Sequence, residues 1–315
     1  MEDWERINRI VKIDKNTANK LVQSFDKKMI VKDIKYLTGG KSTSNYCVQL
    51  DNSSQYLLLK IYANDENSCA KEFAVHKKLR NIIPVPEYFF FDSSHALFKY
   101  SYAIIEFLDG ITLAEYLFEN KKIERKLTIK IGETLGRLHQ FKYENEGRLD
   151  VNLETTSGIP PVLEWYEFFL NNQAGKRLGS QMCKKIRSFL ADNSEILNEI
   201  TEQFVLSHAD FRPGNIMVKK GILQAIFDWE FCMSSPRYLD IGQFFRYDEL
   251  FSSSVQTDFI NGYNHIAKQP LKHNWMKKAK LMDLANLLCF LNKKDEKPKL
   301  FQEKTKLIQK TLETY

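Results

Sequence analysis

The chain has 315 residues, 43% hydrophobic and 27% charged, which is the balance of an ordinary globular protein long enough to bury a sizeable core. Its net charge of +6 is spread along the sequence, whereas a nucleic-acid-binding protein tends to concentrate positive charge on one face. The five cysteines are scattered, which argues against a disulfide framework, and the polar N-terminus argues against a signal peptide. No apolar run approaches the ~18 residues that a membrane span requires. We therefore expect a cytoplasmic protein that binds neither nucleic acid nor membrane.

The first hundred residues predict a β-sheet with one main helix. Short β-branched and aromatic runs bounded by turn signals predict five strands, at 34–37, 46–50, 55–62, 88–91 and 102–107. Between the third and fourth runs, residues 65–80 carry Ala70, Phe73 and Ala74 at helical spacing. Pro84 and Pro86 then prevent this helix from continuing.

After Gly110 the pattern changes to that of helices. Apolar residues within 126–141 recur on one helical face, and residues 163–170 and 180–200 also predict helices. A β-rich insert at 204–231 interrupts them, and helices resume from about residue 239. The order predicts an α+β chain with an antiparallel-sheet N-terminal lobe (1–105), a short connection (106–110) and a mostly helical C-terminal lobe (111–315).

The β-rich insert carries the most informative polar side chains. It reads His-Ala-Asp-Phe-Arg-Pro-Gly-Asn over 208–215, and a hairpin that turns near residue 220 then ends at Asp228-Trp229-Glu230. The hairpin places Asn215 opposite residue 225 or 226, so Asp228 lies about 7–10 Å further along at the ~3.3 Å rise of a strand. An amide oxygen and a carboxylate suit Mg²⁺, whose other ligands are water and phosphate oxygens. Asp210 is placed to accept a proton from a substrate hydroxyl.

This motif, together with Phe-Asp-Trp-Glu at 227–230 and Tyr-Leu-Asp-Ile-Gly at 238–242, resembles the signature of the aminoglycoside-phosphotransferase and choline-kinase superfamily. The resemblance implies a bilobal protein-kinase-like fold, with ATP as phosphoryl donor and GTP left open. It also implies that Asp210 is the catalytic base and that Asn215 and Asp228 hold Mg²⁺. Taken singly, Asp210 and Asn215 would also fit turn caps, and it is the whole set that predicts the site.

His208, Ala209 and Glu230 lie close to these candidate residues in the sequence. Ala209 departs from the usual family form, which has glycine after the histidine. The resemblance implies a structural hydrogen-bonding role for His208 near the catalytic loop. For Glu230 the sequence leaves two roles open, since the side chain either faces the cleft or supports the loop.

The N-terminal lobe is expected to supply the nucleotide ligands. Lys60 lies in the middle of an otherwise apolar strand, which is costly unless phosphates and a carboxylate compensate its charge. The resemblance implies a lysine–glutamate pair, with Glu72 on the following helix as its carboxylate and Glu66 as a competing candidate. The alternatives are an edge-strand lysine that reaches solvent and an ordinary exposed helical glutamate.

Two further segments are expected to contact the nucleotide. The loop over 39–45 joins the first two strands, and its backbone N–H groups and hydroxyls, represented by Gly40, Ser42 and Ser44, are expected to cover the phosphates. The run 103–108 resembles the interlobe hinge of the superfamily. Backbone groups there, around Glu106 and Leu108, are implied to hold the adenine.

The acceptor is expected to be a small molecule with a hydroxyl group, and the sequence leaves its identity open. Residues 231–315 hold fourteen Lys or Arg and nine Asp or Glu, a net of +5, whereas enzymes acting on polycationic drugs are expected to display carboxylates there. Four acidic residues were considered for a local acidic pocket: Asp248, Glu249, Asp258 and Asp283. An antibiotic, a sugar and an amino alcohol such as choline or ethanolamine all stay open, as does the oligomeric state.

Two other functions were weighed against a small-alcohol kinase. A nucleotide-binding regulatory module with little catalysis would tolerate the loss of Lys60, Asp210, Asn215 or Asp228, yet all four are present. A protein kinase would show His-Arg-Asp and Asp-Phe-Gly forms, which this chain lacks. The sequence therefore predicts direct in-line transfer of a γ-phosphoryl group to a small-molecule hydroxyl.

Overall fold

A computed structural model of the protein describes residues 6, 8–38, 40, 42–51, 54–63, 66–156, 160, 162–200 and 203–315. The N-terminal part is built on an antiparallel sheet, and the C-terminal part is mostly helical with two small sheets. The predicted α+β arrangement is confirmed. None of the described helices combines the length and apolar character that a bilayer crossing requires.

The N-terminal sheet has five antiparallel strands in the order β1-β2-β3-β5-β4. Their bounds lie within three residues of the predicted ones: β1 Val31–Leu37, β2 Ser44–Leu50, β3 Tyr56–Tyr62, β4 Tyr88–Asp92 and β5 Ser101–Glu106. Because β3 is the central strand, its Lys60 does not lie on an edge. The two-residue period of β3 buries Leu57, Leu59 and Ile61 in one apolar cluster and turns Tyr62 to the opposite face.

Two helices flank this sheet, and only the second was predicted. Helix α1 (Lys15–Phe25) is capped at its N-terminus by Asp14, whose carboxylate accepts a hydrogen bond of 2.8 Å from Thr17 N. Its buried residues belong to the same cluster as the buried face of β3: Ala18, Leu21 and Val22. Helix α2 (Glu66–Leu79) contributes Cys69 to the cluster on the other face. The i, i+3, i+4 spacing after a capping aspartate was the signal for α1 in the sequence.

The C-terminal part follows the predicted alternation of helices with one β-rich insert. Its helices are α3 Leu113–Asn120, α4 Arg125–Leu138, α5 Val162–Leu170, α6 Gln173–Asp192, α7 Ser194–Ile200, α8 Tyr238–Phe244, α9 Ser253–Ile266, α10 Trp275–Leu291 and α11 Pro298–Thr314. Its strands are β6 Ile111–Thr112, β7 Lys142–Tyr143, β8 Gly147–Arg148, β9 Phe204–Ser207, β10 Ile216–Lys219, β11 Ile222–Ile226 and β12 Met233–Pro236. The single helix predicted over 180–200 is two helices, and Gly179, with φ of 77°, bends the first of them.

The β10–β11 hairpin positions two predicted site residues. Ile216 pairs with Ile226 and Met217 with Ala225, and a bulge then shifts the register before Val218. As a result Asn215 is joined to Phe227, whose N–H donates to the Asn215 carbonyl over 3.1 Å. The predicted partner, residue 225 or 226, was therefore wrong by at least one position, because sequence spacing alone does not reveal a bulge.

Helix α8 is pressed closely against the helices behind the insert. A Cβ placed on Gly242 would lie 2.2 Å from the carbonyl oxygen of Ala279 in α10, so only glycine allows this approach. A similar contact joins Gly262 of α9 to the carbonyl of Ile129 in α4. The close approach at Gly242 fixes α8 against α10.

Candidate active site

The loop carrying Asp210 is fixed by two buried side chains of α8. The backbone N–H groups of His208 and Ala209 donate to the carboxylate of Asp240 over 2.9 and 2.8 Å. Gln243 accepts from Phe211 N over 3.0 Å and donates to Ala209 O over 2.8 Å. Gln243 was not identified from the sequence. Its signal was a polar residue three positions after Asp240 in a wholly buried helix, because a buried polar side chain requires a partner.

His208 connects this loop to the strand that leads to Asp228. It is fully buried, its Nδ1 accepts from Asp210 N over 3.2 Å, and its Nε2 donates to Phe227 O over 3.0 Å. One ring nitrogen accepting and the other donating corresponds to the neutral imidazole with its proton on Nε2. These contacts describe a histidine that holds two loops together.

Ala209 adopts a backbone conformation that favours glycine. Its φ is +60°, in the left-handed region, where a Cβ costs about 1–2 kcal/mol. This strain gives a physical reason for the glycine that the superfamily usually carries after the histidine. Asp228 is also left-handed, with φ of 70° and ψ of 59°, which Asp and Asn adopt more readily than most residues.

We predict that Ala209→Gly changes the free energy of unfolding by no more than about 1 kcal/mol, because relief of strain offsets the greater freedom of the unfolded chain. Turnover should stay within twofold of wild type. Ala18→Gly within α1 is the control, and it should destabilise by at least about 1 kcal/mol. Urea unfolding measures both, and equal losses in the two variants would contradict the strain at residue 209.

Asp210 is oriented by two neighbours on its own loop. The Arg212 Nε donates to both carboxylate oxygens over 3.1 and 3.0 Å. Asn215 donates its amide nitrogen to the Asp210 carboxylate over 2.7 Å and to its carbonyl oxygen over 2.9 Å. Since the amide nitrogen of Asn215 is used in this way, its Oδ1 is the atom that is left for a cation.

Lys60, Glu72 and Asp228 form a buried ionic group between the two parts of the chain. The ammonium of Lys60, only 3% exposed, lies 2.9 Å from both oxygens of Glu72 and 2.6 Å from Oδ1 of Asp228. The hydroxyls of Tyr62 and Tyr88 also donate to Glu72, the latter over 2.7 Å. The structure thus pairs Lys60 with Glu72, and the competing candidate Glu66 begins α2.

Charge attraction keeps Lys60 and Asp228 ionised. Burial alone would lower the pKa of Lys60, but Asp228 and Glu72 raise it well above its usual value. Burial likewise opposes ionisation of Asp228, yet attraction by Lys60 lowers the pKa of that carboxyl. Lys60 is therefore a cation and Asp228 an anion at neutral pH.

Glu230 lies beside this group and reaches towards the N-terminal loop. Burial, followed by repulsion from Asp228, raises the pKa of Glu230 to about 8, and a hydrogen bond with Ser42 opposes the rise. Ser42 therefore meets a side chain of the C-terminal part. Of the two roles left open by the sequence, this contact favours a Glu230 that faces the cleft.

Residues of the N-terminal segment form hydrogen bonds with the loop before β2. The guanidinium of Arg6 donates to the carbonyls of Gly40 and Thr43, the latter over 2.9 Å, and Asn8 donates to the Ser42 carbonyl over 3.0 Å. Ser44 is fully buried, and its hydroxyl accepts from Val11 N over 2.9 Å. This placement disfavours the predicted phosphate contact by the Ser44 hydroxyl. Gly39 and Lys41 of this loop lie outside the described residues.

The predicted adenine-binding connection begins where β5 ends. Glu106 is exposed, its N–H donates to the Glu87 carbonyl over 2.8 Å, and its carboxylate accepts from Glu87 N over 3.1 Å. Leu108 is half-buried two residues further on. Their contacts with adenine stay a prediction.

The donors available for a metal are few. Across the described residues, no group of three or more His, Cys, Asp or Glu side chains is arranged to hold a metal ion. The hydrogen bond from Phe227 N to Asn215 O brings Asp228, the residue after Phe227, near Asn215. Two oxygen donors fit Mg²⁺, which is commonly bound by one or two protein oxygens together with substrate phosphates and water.

The four acidic residues considered for an acceptor pocket are all paired with cations. Asp248 and Glu249 bind Lys310, the latter over 2.5 Å. Arg125 binds Asp258 over 3.1 Å, and Arg246 binds Asp283 over 2.6 Å. These ion pairs within the protein disfavour an acidic pocket built from the four residues.

A comparison with known protein families matches most of the chain. Residues 33–273 match the sequence profile of the phosphotransferase enzyme family, a range that contains the candidate catalytic, nucleotide-binding and metal-binding residues. No curated protein matches the chain.

Solved structures show the same fold at low identity. The aminoglycoside phosphotransferase APH(4)-Ia is 15% identical, with a TM-score of 0.65 over 95% of this chain and 99% of that one. The streptomycin–ATP complex of APH(2'')-IIa is 14% identical, with a TM-score of 0.62 over 96% of this chain and 99% of that one. Macrolide 2'-phosphotransferase MphH from Brachybacterium faecium is 11% identical, with a TM-score of 0.66 over 93% of this chain and 98% of that one. The predicted kinase-like fold is confirmed.

Proposed function

The chain belongs to the phosphotransferase enzyme family, and from this membership and the geometry of its site we propose that it transfers the γ-phosphoryl group of ATP to a hydroxyl of a small molecule. The observation that carries the proposal is the 2.6 Å contact between Lys60 and Asp228. This contact joins the Lys60–Glu72 pair of the N-terminal sheet to Asp228 at the end of the β10–β11 hairpin. The other end of that hairpin adjoins Asn215, which binds Asp210. A phosphate chain and an acceptor hydroxyl can thus meet in one cleft.

The division of labour follows from the contacts. Lys60 is held by Glu72, whose carboxylate also accepts from two tyrosine hydroxyls, and would bind phosphate oxygens. Gly40 and Ser42 would cover those phosphates. The segment 106–110 would hold the adenine, and it would connect a nucleotide lobe (1–105) with a catalytic and acceptor lobe (111–315). Mg²⁺, held by Asn215 and Asp228, would offset the negative charge of the phosphates. Related structures bound to ATP support the choice of donor.

Asp210 would act on the acceptor. Arg212 and Asn215 hold its carboxylate in one orientation, so a substrate hydroxyl can donate to it as the oxygen attacks. The new bond joins the acceptor oxygen to the γ-phosphorus, the bond from that phosphorus to the β–γ bridging oxygen breaks, and the hydroxyl proton passes to Asp210. ADP is the leaving group.

We predict that a screen of hydroxyl-bearing small molecules for magnesium-dependent ADP release will find an acceptor class with turnover at least 10-fold above hydrolysis by water. The panel contains aminoglycosides, macrolides, sugars and amino alcohols including choline. Phosphorylated acceptor must form in equal amount to ADP. Tight binding of ATP with magnesium but no turnover across the panel would favour the alternative, a nucleotide-binding module that regulates without catalysis.

A further inference from the structure

A group of cations surrounds one aromatic ring near the end of α10. The charged groups of Arg246, Lys293 and Lys304 lie 5.6, 5.1 and 5.3 Å from the centroid of the Phe290 ring. Lys297 follows on the same segment and is 5% exposed. We call Arg246, Lys293, Lys297 and Lys304 the basic cluster.

The cations of the basic cluster differ in their partners. Arg246 binds Asp283, and Lys304 binds Glu303 over 2.9 Å. Within the described part of the chain, neither Lys293 nor Lys297 has a carboxylate within ion-pairing distance, and Lys297 donates to the Arg6 carbonyl over 3.3 Å. Two adjacent cations with buried or half-buried side chains are costly unless an anion compensates them.

The basic cluster adjoins the loop that carries Asp210. The N–H of Arg246 donates to the carbonyl of Gln243, whose side chain binds Phe211 N and Ala209 O of that loop. Burial and the neighbouring Lys297 lower the pKa of Lys293, and the Asp210 carboxylate lies close enough to oppose that effect. The charges that act on Lys60 are instead those of Asp228, Glu72 and Glu230. The Asp210 loop is thus linked to the basic cluster through Gln243, whereas Lys60 is paired with Glu72 and Asp228.

We propose that the acceptor carries a small oxyanion, a carboxylate or a phosphate group, which Lys293 and Lys297 bind while the acceptor hydroxyl meets Asp210. This inference rests on the proposed function and narrows its substrate class. The acidic residues that would attract a polycationic drug are already paired, whereas these two lysines supply the attraction that an anionic acceptor requires.

The first test measures anion binding without any transfer. Protein saturated with magnesium and the non-hydrolysable analogue AMP-PNP, which fills the γ-phosphate position, is titrated with inorganic phosphate in a calorimeter. Phosphate should bind, and Lys293→Met should weaken that binding at least 10-fold. The control Lys294→Met, at an exposed neighbouring position, should stay within twofold. Absence of phosphate binding, or equal binding by Lys293→Met and wild type, would overturn the proposal.

The second test compares matched acceptors by ADP release, namely glycerate with glycerol, gluconate with glucose, glucose 6-phosphate with glucose, and kanamycin as polycation. An anionic member should exceed its neutral partner at least 10-fold in kcat/KM. Lys293→Met should raise the KM for that acceptor and leave the KM for ATP unchanged. Preference for a neutral or polycationic acceptor would overturn the anionic class while the proposed function stands. Failure of AMP-PNP to bind would instead count against the proposed function, and the phosphate titration without nucleotide would then decide the anion site.

Discussion

Asp210→Asn should lower kcat by about 10²–10⁴-fold, the usual contribution of a positioned general base, while leaving the Kd for MgATP within threefold of wild type. Asparagine has nearly the same shape as aspartate but cannot accept the hydroxyl proton. Nucleotide binding should persist because Lys60, Glu72 and Asp228 are untouched by the change. Single-turnover kinetics with an identified acceptor and calorimetric titration with MgATP separate the two quantities.

The control for Asp210→Asn is Asp192→Asn, which makes the same chemical change at an exposed helix end and should retain full turnover. Circular dichroism should show both variants folded. Wild-type turnover by Asp210→Asn would show that another group accepts the proton. A parallel loss of nucleotide affinity would mean that Asp210 acts on the metal and phosphates.

Asp228→Asn should remove most of the magnesium dependence of nucleotide binding. Asparagine adopts the left-handed backbone of residue 228, so the fold should survive, but the ligand loses its charge. We expect MgATP affinity to fall at least about 10–100-fold, the range found when groups that support a metal ligand are removed. Affinity for ATP measured in EDTA should stay equal or rise, because one negative charge near the phosphates has gone.

Asp33→Asn is the matched control for Asp228→Asn, since this aspartate is exposed on the edge strand β1. Its affinities for ATP with and without magnesium should match those of wild type. If Asp228→Asn kept the full difference between MgATP and free ATP, the assignment of Asp228 to the metal would fail. The prediction of Mg²⁺ would then need other ligands.

The sequence was sufficient to predict the sheet, the helical part and the two loops of the site, because each depends on local patterns. The period of β3 predicted the face of Lys60, and the spacing from Asp210 to Asn215 and Asp228 predicted their neighbourhood. The bulge in the β10–β11 hairpin was not predictable, since it moves pairing by one residue without changing composition.

Contacts between distant segments were also beyond the sequence. Arg6 reaches Gly40 across more than thirty positions, and Gln243 reaches the Asp210 loop from α8. The pairing of Asp248, Asp258 and Asp283 with cations depends on which helices adjoin, so the sequence left open a local acidic pocket that these ion pairs disfavour. Charge totals constrain net attraction, but they do not say which charges stay available.

The contact between Lys60 and Asp228 has a consequence for nucleotide affinity. Phosphate oxygens that approach the ammonium must share it with a carboxylate already 2.6 Å away, so binding exchanges one anion for another. The net electrostatic gain is therefore smaller than the attraction between a lysine and a triphosphate suggests. The affinity for ATP will therefore depend in part on how far strand β3 and the Asp228 turn must separate. This dependence links the strength of ATP binding to the opening of the cleft.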